Sequence, residues 1–367
     1  MKALDKTSSI DWEFIIETIK HQKCVLFLGP DLLSLDFDNS LEEEISSFLE
    51  VETNADIKSF YPNDGLFLFS SRAKKTKTFY KLKKFYSQPS RNLNLLYEKI
   101  AQIPFHLIIN LSPDLVFAET MSRIGYAHSF SYFWKNTAEA PLFTRPSRDR
   151  PAIYNLLGTI EQQESMVLSH TDLFEYLEAI FGSSTLPEIL KKEIKEAHNF
   201  IFLGVPFQRW YMQLLLRILY IHNDYDFVRY AASQVSTMEI QAFCSEHFKI
   251  EFVPNRIEAF VEELFTKCEE AEILNEPSQN AIFSVENAKN LLKEDKLQMC
   301  LNLIEEHVTN SNVKDIEDSV LLLTSKFKRL RKRIMQDIIS KEEADLSYNK
   351  IRFEILSLLK ELEVENY

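Results

Sequence analysis

Glycine is scarce: the chain has six in 367 residues, where average usage of ~7% would supply about four times as many. That excludes collagen-like repeats and glycine-rich linkers, and each glycine that remains marks a place where backbone needs room. Cysteine is sparse too. Cys24, Cys244, Cys268 and Cys300 stand far apart, with no CxxC pair and no histidine at metal-ligand spacing, so a disulfide scaffold and a zinc ribbon are excluded. We read all four as buried thiols. No apolar run approaches the ~20 residues of a membrane span. The opening MKALDKTSSIDWEF carries charge where a secretory apolar core would sit, so the expectation is a cytoplasmic protein with no membrane partner. Positive charge is also in deficit, 42 Lys and Arg against 55 Asp and Glu, a net charge of -13. Bulk electrostatic binding to nucleic acid is therefore not expected. The chain also lacks a nucleophile elbow with a Ser-His-Asp order, a Walker loop and an HExxH pair.

What is present is a 45% hydrophobic chain whose apolar runs are short and punctuated. Gly29, Gly158 and Gly204 close the runs VLFLG, YNLLG and FIFLG. A glycine at the carboxyl end of a buried strand allows a tight turn or close approach of a ligand. DWEFIIETIKH (11 to 21) has helical spacing before the first of these strands. Polar and helical stretches are expected from there to about residue 103, including KKTKTFYKLKKF (74 to 85), a helix with a basic outer face. FHLIIN (105 to 110) reads as a strand, and SPDLVFAETM as a helix with Ser112 as cap and Pro113 in its first turn. HSFSYFW, PLFTR, AIYNLLG and SMVLS are shorter strand candidates, followed by FIFLGV, FVRYAAS and IEFVP between helical segments.

Strands alternating with helices predict an α/β fold: a Rossmann-like, doubly wound parallel sheet with helices on both faces over residues 1–274. NEPSQN (275–280) reads as a linker. Over 281–367 no strand signal remains. Ile316, Val320, Leu323, Phe327, Leu330 and Ile334, then Tyr348, Ile351, Ile355, Leu358 and Leu362, have the spacing of a small all-α helical bundle. The basic run FKRLRKR (327 to 333) lies in this bundle, where an apolar stripe runs through it and the rest is a solvated face.

Four pieces, in order, resemble the sirtuin-like (Sir2-like) domain of bacterial defence systems, an NAD-cleaving Rossmann module. VLFLGPDLLS is similar to its first strand and Gly-Ala-Gly turn. LIINLSPDLVFAE is similar to its Thr-Thr-Asn-Tyr-Asp motif and helix. IYNLLGTIEQQESMVLSHTDLFEYL is similar to its His-Gly region, and FIFLGVPFQRWYMQLLL to its late Leu-Gly-Tyr-Ser-Phe-x-Asp strand. Further on, NAKNLLKEDKLQMCLNLIEE and VLLLTSKFKRLRKRIMQDIISKEEADLSYNKIRFEILSLLKEL resemble effector-associated domain 11, a small helical adaptor. That resemblance implies recruitment of an adaptor-domain protein encoded nearby. A homo-oligomer is also allowed.

The resemblance implies cofactor-binding positions at Gly29, Asp31, Ser34, Asp114, Gly158 and Gly204. It implies catalytic positions where the motifs have degenerated. The family's asparagine falls on Ser112 and its histidine on Leu157, and a leucine has no proton to exchange. The alanine and second glycine of the phosphate turn fall on Pro30 and Asp31, which remove an amide donor and aim a carboxylate at a pyrophosphate. Two unit charges ~4 Å apart at an effective dielectric near 20 repel by about 4 kcal/mol. In the late motif, serine falls on Pro206 and aspartate on Arg209. Asn110 and Asp114 are the substitutes nearest to hand, with His106 and His170 behind them. The plain alternative is a hydrogen-bonded amide at a strand end and ordinary histidines.

Three functions follow from the resemblance. The preferred one is a pseudoenzyme that binds no cofactor and acts as a scaffold or regulator, recruiting partners through its adaptor. The others are an NAD hydrolase rebuilt around Asn110, Ser112 and Asp114, and a receptor that binds a derivative of NAD without cutting it.

Overall fold

The computed structural model describes residues 10–36, 39–88, 91–135, 141–181, 186–219, 221, 227–233, 237–275, 285–293, 297–311, 314–335 and 341–364. The chain forms two compact units, Met1–Glu276 and Pro277–Tyr367. The expected linker lies, except for Asn275, outside the described residues.

In the first unit, α1 (Trp12–Lys20) is capped by Asp11, whose carboxylate accepts from the Phe14 amide, and leads into β1 (Cys24–Leu28). A 3-10 turn, Pro30–Asp36, follows, then α2 (Leu41–Phe48), the antiparallel hairpin β2 (Ile57–Tyr61) and β3 (Leu66–Phe69), α3 (Arg72–Tyr86) and α4 (Arg91–Gln102). β4 (Leu107–Asn110), α5 (Val116–Arg123), β5 (Ser129–Tyr132), β6 (Ala152–Asn155), α6 (His170–Phe181) and α7 (Glu188–Lys195) come next. β7 (Asn199–Leu203), α8 (Trp210–Ile218), β8 (Arg229–Ala232), α9 (Met238–Phe248), β9 (Ile250–Phe252) and α10 (Ile257–Glu270) complete the unit.

Seven strands pair in the order β5-β6-β4-β1-β7-β8-β9, all parallel. All five residues of β1 are buried because the sheet is covered on both faces. Val25 and Phe27 enter one core with α6 to α9, while Cys24, Leu26 and Leu28 enter the other with α1, α4, α5 and α10. After β1 the chain adds β4, β6 and β5 on one side, then returns to place β7 on the other. The carboxyl ends beside β1 are thus the switch point where such sheets bind ligands.

Three expectations need correction. The stretch from residue 30 to 103 is not only polar and helical: it contains the β2–β3 hairpin, which packs with α2 and α3 around Leu41, Ile45, Phe67, Phe79 and Leu82. SMVLS is no strand; its contact with β3 is a hydrogen bond that the Leu168 carbonyl accepts from the Phe67 amide and one isolated bridge between Phe67 and Ser169. PLFTR forms no strand either. The hairpin core also takes Ile160, Met166 and Leu168 from the loop after β6, so this insertion lies over the strand tips.

The second unit comprises α11 (Val285–Lys293), α12 (Leu297–Ser311), α13 (Lys314–Met335) and α14 (Lys341–Val364). Val320, Leu323, Phe327 and Leu330 of α13 meet Ile351, Ile355, Leu358 and Leu362 of α14 in one core with Leu301 and Ile304 of α12. Ile316 lies in α13, but its side chain is outside the described part.

Candidate functional site

Four strand tips converge: Gly29 after β1, Asn110 of β4, Asn155 of β6 and Gly204 after β7. In a dinucleotide fold the first glycine makes the tight turn and the second lets backbone approach the pyrophosphate. Here Gly29 makes the turn and Asp31 stands at the second position. A Cβ on Gly29 would lie 1.9 Å from the Gly204 carbonyl oxygen, so the two turns are in backbone contact. Gly204 has φ +63°, and a Cβ there would lie 2.9 Å from the Leu32 nitrogen. Leu32, fully buried, sits on it.

The amides of the turn are committed as well. Gly29 N–H donates to the Leu203 carbonyl (2.8 Å), Asp31 N–H to Gly204 (3.2 Å) and Leu32 N–H to Gly29 (3.3 Å), while Pro30 has none. Ser34 Oγ donates to the Asp31 carbonyl at 2.6 Å, closing the 3-10 turn. The Asp31 carboxyl is turned inward, and its Oδ2 has no hydrogen-bond partner among the described residues. Burial drives its pKa up to about 7, against the pull of Arg209, with Glu42 adding to the rise.

Gly158 (φ +88°) likewise serves packing, since a Cβ there would lie 2.1 Å from the Ser165 carbonyl oxygen. Leu157, beside it, lines a cavity of about 70 Å³ together with Pro30, Glu42, Tyr86, Arg209 and Tyr211. Ligand pockets usually measure ~300–1,000 Å³. With its turn amides engaged, a buried carboxyl facing inward and so little volume, this set of groups does not fit a dinucleotide.

On the β4 side, Asn110 Oδ1 accepts from the Ser112 amide at 3.0 Å, and its Nδ2 donates to the Asp114 carbonyl at 3.4 Å. Asn155 Nδ2 donates to that same carbonyl at 3.0 Å. Asp114 Oδ1 accepts from the Val116 amide at 2.9 Å. Burial raises the Asp114 pKa, with Ser112 and the Val116 amide pulling it part of the way back. Ser112 is therefore not the cap of α5, which starts at Val116 with Leu115 before it. Asn110, Ser112 and Asp114 are brought together, but as the brace of a turn. His106 lies at the opposite end of β4, buried to 1% exposure, and is not with them.

Sequence reasoning singled out Arg209 and His170 but missed Glu42 and Asp64, which join them at the crevice mouth. Arg209 pairs with Glu42 of α2, and its Nη1 donates to Tyr211 Oη at 3.1 Å. Tyr211 Oη donates to the Asp64 carbonyl at 3.0 Å, in the turn of the hairpin, and Asp64 Oδ2 meets His170 Nε2 at 3.1 Å. A Cβ on Gly65 would lie 2.9 Å from Arg209 Nη1. The only signal in sequence was that Arg209 stands where an acid is usual. Among the described residues no group of three or more His, Cys, Asp or Glu could hold a metal ion. No helix among them is long and apolar enough to cross a membrane.

A parallel sheet wound on both faces, with its crevice at the switch point beside β1, defines a Rossmann-like protein. Within it, the family model of the SIR2-like domain matches residues 107–237, and that of effector-associated domain 11 matches residues 284–363. The chain therefore carries a SIR2-like domain followed by an effector-associated domain, an arrangement that fits a component of a bacterial defence system. The first match opens at β4, so VLFLGPDLLS lies before it, whereas the other three quoted pieces begin within it. No curated protein matches the chain.

Proposed function

We propose that the sheet-bearing unit is a catalytically inactive, sirtuin-like scaffold or regulator of a cytoplasmic bacterial defence system, and that the helical unit recruits its partner protein. The observation that carries this reading is the seating of Asp31 and Leu32 on Gly204, which engages the amides of the turn within the chain and supports a cradle closed to a pyrophosphate. Leu157 adds to it, because general acid or base work needs an exchangeable proton. A hydrolase rebuilt around Asn110 would need that amide free to meet a substrate, and both ends of it are bound to backbone.

The test is direct. Purified full-length chain incubated with NAD is expected to release no nicotinamide above a protein-free blank. NAD is also expected to leave the melting temperature unchanged, whereas a ligand at 100 times its dissociation constant would add about 2.7 kcal/mol of stability. Release of nicotinamide restores the hydrolase. A clear upward shift without release makes the unit a receptor for NAD or a derivative.

A further inference from the structure

We propose that the outward face of α3 is a docking surface for single-stranded nucleic acid, with Lys77, Lys81 and Lys84 meeting phosphates and Tyr80 stacking on a base. The surface stands whatever the crevice binds. A net charge of -13 weighs against binding by the chain as a whole, so the attraction is local to this helix.

α3 holds no acid in its 15 residues. Four of its cations are used by the fold. Arg72 pairs with Glu164 at 2.9 Å, Lys83 with Glu161 at 2.8 Å and Lys75 with Asp172, while Lys74 donates to the Ala55 carbonyl at 2.6 Å. Lys77, Lys81 and Lys84 are exposed and pair with no carboxylate among the described residues. With Tyr80 they occupy one face, at i, i+3, i+4 and i+7. Tyr80 is 64% exposed, and its ring meets that of buried Phe79 at 5.4 Å between centroids.

This strip costs the helix stability. Lys77 and Lys81 stand four residues apart and Lys81 and Lys84 three, so like charges repel along the face. Arg72, Lys74 and Lys75 sit at the amino end, where the helix dipole favours acids. A helix that only has to face water is ordinarily built with both signs. At the edges, Glu161 is held by Lys83, and Glu50, Glu52 and Asp56, followed by Lys58, belong to the segment that meets Lys74. No acid stands on the face itself.

Chemistry selects the occupant. A membrane-surface helix inserts its apolar face, and that face of α3, Phe79, Leu82 and Phe85, is in the hairpin core. Protein interfaces are poor in lysine and centre on apolar side chains, whereas here one ring stands among three ammonium groups. Single-strand binders join cations that track the backbone to a ring that takes a base. A duplex keeps its bases stacked inward and leaves Tyr80 unused.

The probes are fluorescein-labelled 20-residue oligo(dT) and oligo(rU), with a 20-base-pair duplex beside them. Full-length protein in 50 mM salt should bind a single strand of either sugar, read by anisotropy. Affinity should fall with salt at a log-log slope of about -2, from three phosphate contacts at ~0.7 each. Replacing Lys77, Lys81 and Lys84 together by Gln should weaken binding at least tenfold without lowering the melting temperature, and Lys81→Gln alone should take about 0.7 off the slope. Tyr80→Ala should weaken binding at least fivefold and leave the slope unchanged. No binding of either strand, an unaffected triple variant, or a duplex bound as tightly overturns the proposal. So does a Tyr80→Ala protein that binds like wild type, because charge alone is then read. Tighter binding of phosphatidylserine vesicles or polyglutamate, abolished in the triple variant, also overturns it, since the occupant is then a membrane or an acidic protein.

Discussion

The two ends of the parallel sheet bury ionisable groups in different company. At the amino end His106 stands just before β4, and burial drives its imidazole down to about 4, helped by Lys23. Its Nε2 lies 3.7 Å from Glu193 Oε2, a contact that becomes an ion pair only on protonation. At the carboxyl end Asp31 is driven up to about 7, beside the Arg209–Glu42 pair. Both groups are neutralised by the same desolvation. The difference is that the carboxyl end keeps a set of polar groups around a crevice and turns part of it on itself: arginine to glutamate, tyrosine to the hairpin turn and asparagine amides to a backbone carbonyl. The rest, Asp31 Oδ2, Ser112 Oγ, Asp114 Oδ2 and Asn155 Oδ1, have no hydrogen-bond partner among the described residues. Of that polar inventory, Arg209, Tyr211 and His170 hold the insertion, through Glu42 and Asp64.

The sharpest way to break that comparison is at the contact between the two glycine turns. Gly29→Ala forces a Cβ to within 1.9 Å of a backbone oxygen that belongs to the next strand's turn and cannot swing aside. We expect a loss of about 4 kcal/mol or more, enough to leave little folded chain, read as soluble yield and as the urea midpoint. A Gly29→Ala protein as stable as wild type would mean that the turns stand apart and the cradle is open.

Second in size is the latch. Arg209→Ala leaves Glu42 without its partner in a largely buried place and should cost about 3–5 kcal/mol in urea unfolding. Arg209→Met combined with Glu42→Met removes both charges and should recover most of that loss, because a buried ion pair replaced by apolar groups is often neutral. If the single variant costs under about 1 kcal/mol, the latch is a solvated surface pair and the crevice mouth is free to open.

How far the sequence foretold this depends on whether the signal was local. The strands were legible because each is a short apolar run ended by a turn residue, and the two cores follow from their alternation. The hairpin was not: IKSFY lacks clean alternation, with Ile57 buried, Lys58 and Tyr61 outward and Ser59 and Phe60 half covered, so only the Asn63-Asp64-Gly65 turn marked it. SMVLS has strand composition but a single bridging neighbour. At the crevice, Pro30, Asp31 and Leu157 were visible as departures from a motif. Glu42 was not visible as the partner of Arg209, because 167 residues separate them and nothing in either segment names the other. Asn155 escaped for a related reason: it lies opposite Asn110 only once β4 and β6 are in register. Ser112 looked like a helix cap, yet Asp114 is the residue whose carboxylate meets the first free amide of α5.

The finest test sets the two ends against each other through pH. The Asp31 carboxyl releases its proton near 3.8 in the unfolded chain and about 7 in the folded one, so its contribution is full below about 4 and is lost as pH rises to 7. His106 works the other way. Its pKa falls from 6.5 to about 4 on folding, so its contribution is full above about 6.5 and is lost as pH falls toward 4. In wild type the two slopes oppose each other across the same window. Asp31→Asn removes one of them, and should raise stability at pH 8 by about 4 kcal/mol and by almost nothing at pH 4. The remaining curve should climb steadily with pH between 4 and 6.5. His106→Gln should leave the opposite curve, falling from pH 4 to 7. Urea titrations at half-unit pH steps would resolve both, and an Asp31→Asn curve parallel to wild type at every pH would place that carboxyl in solvent, open to a ligand after all.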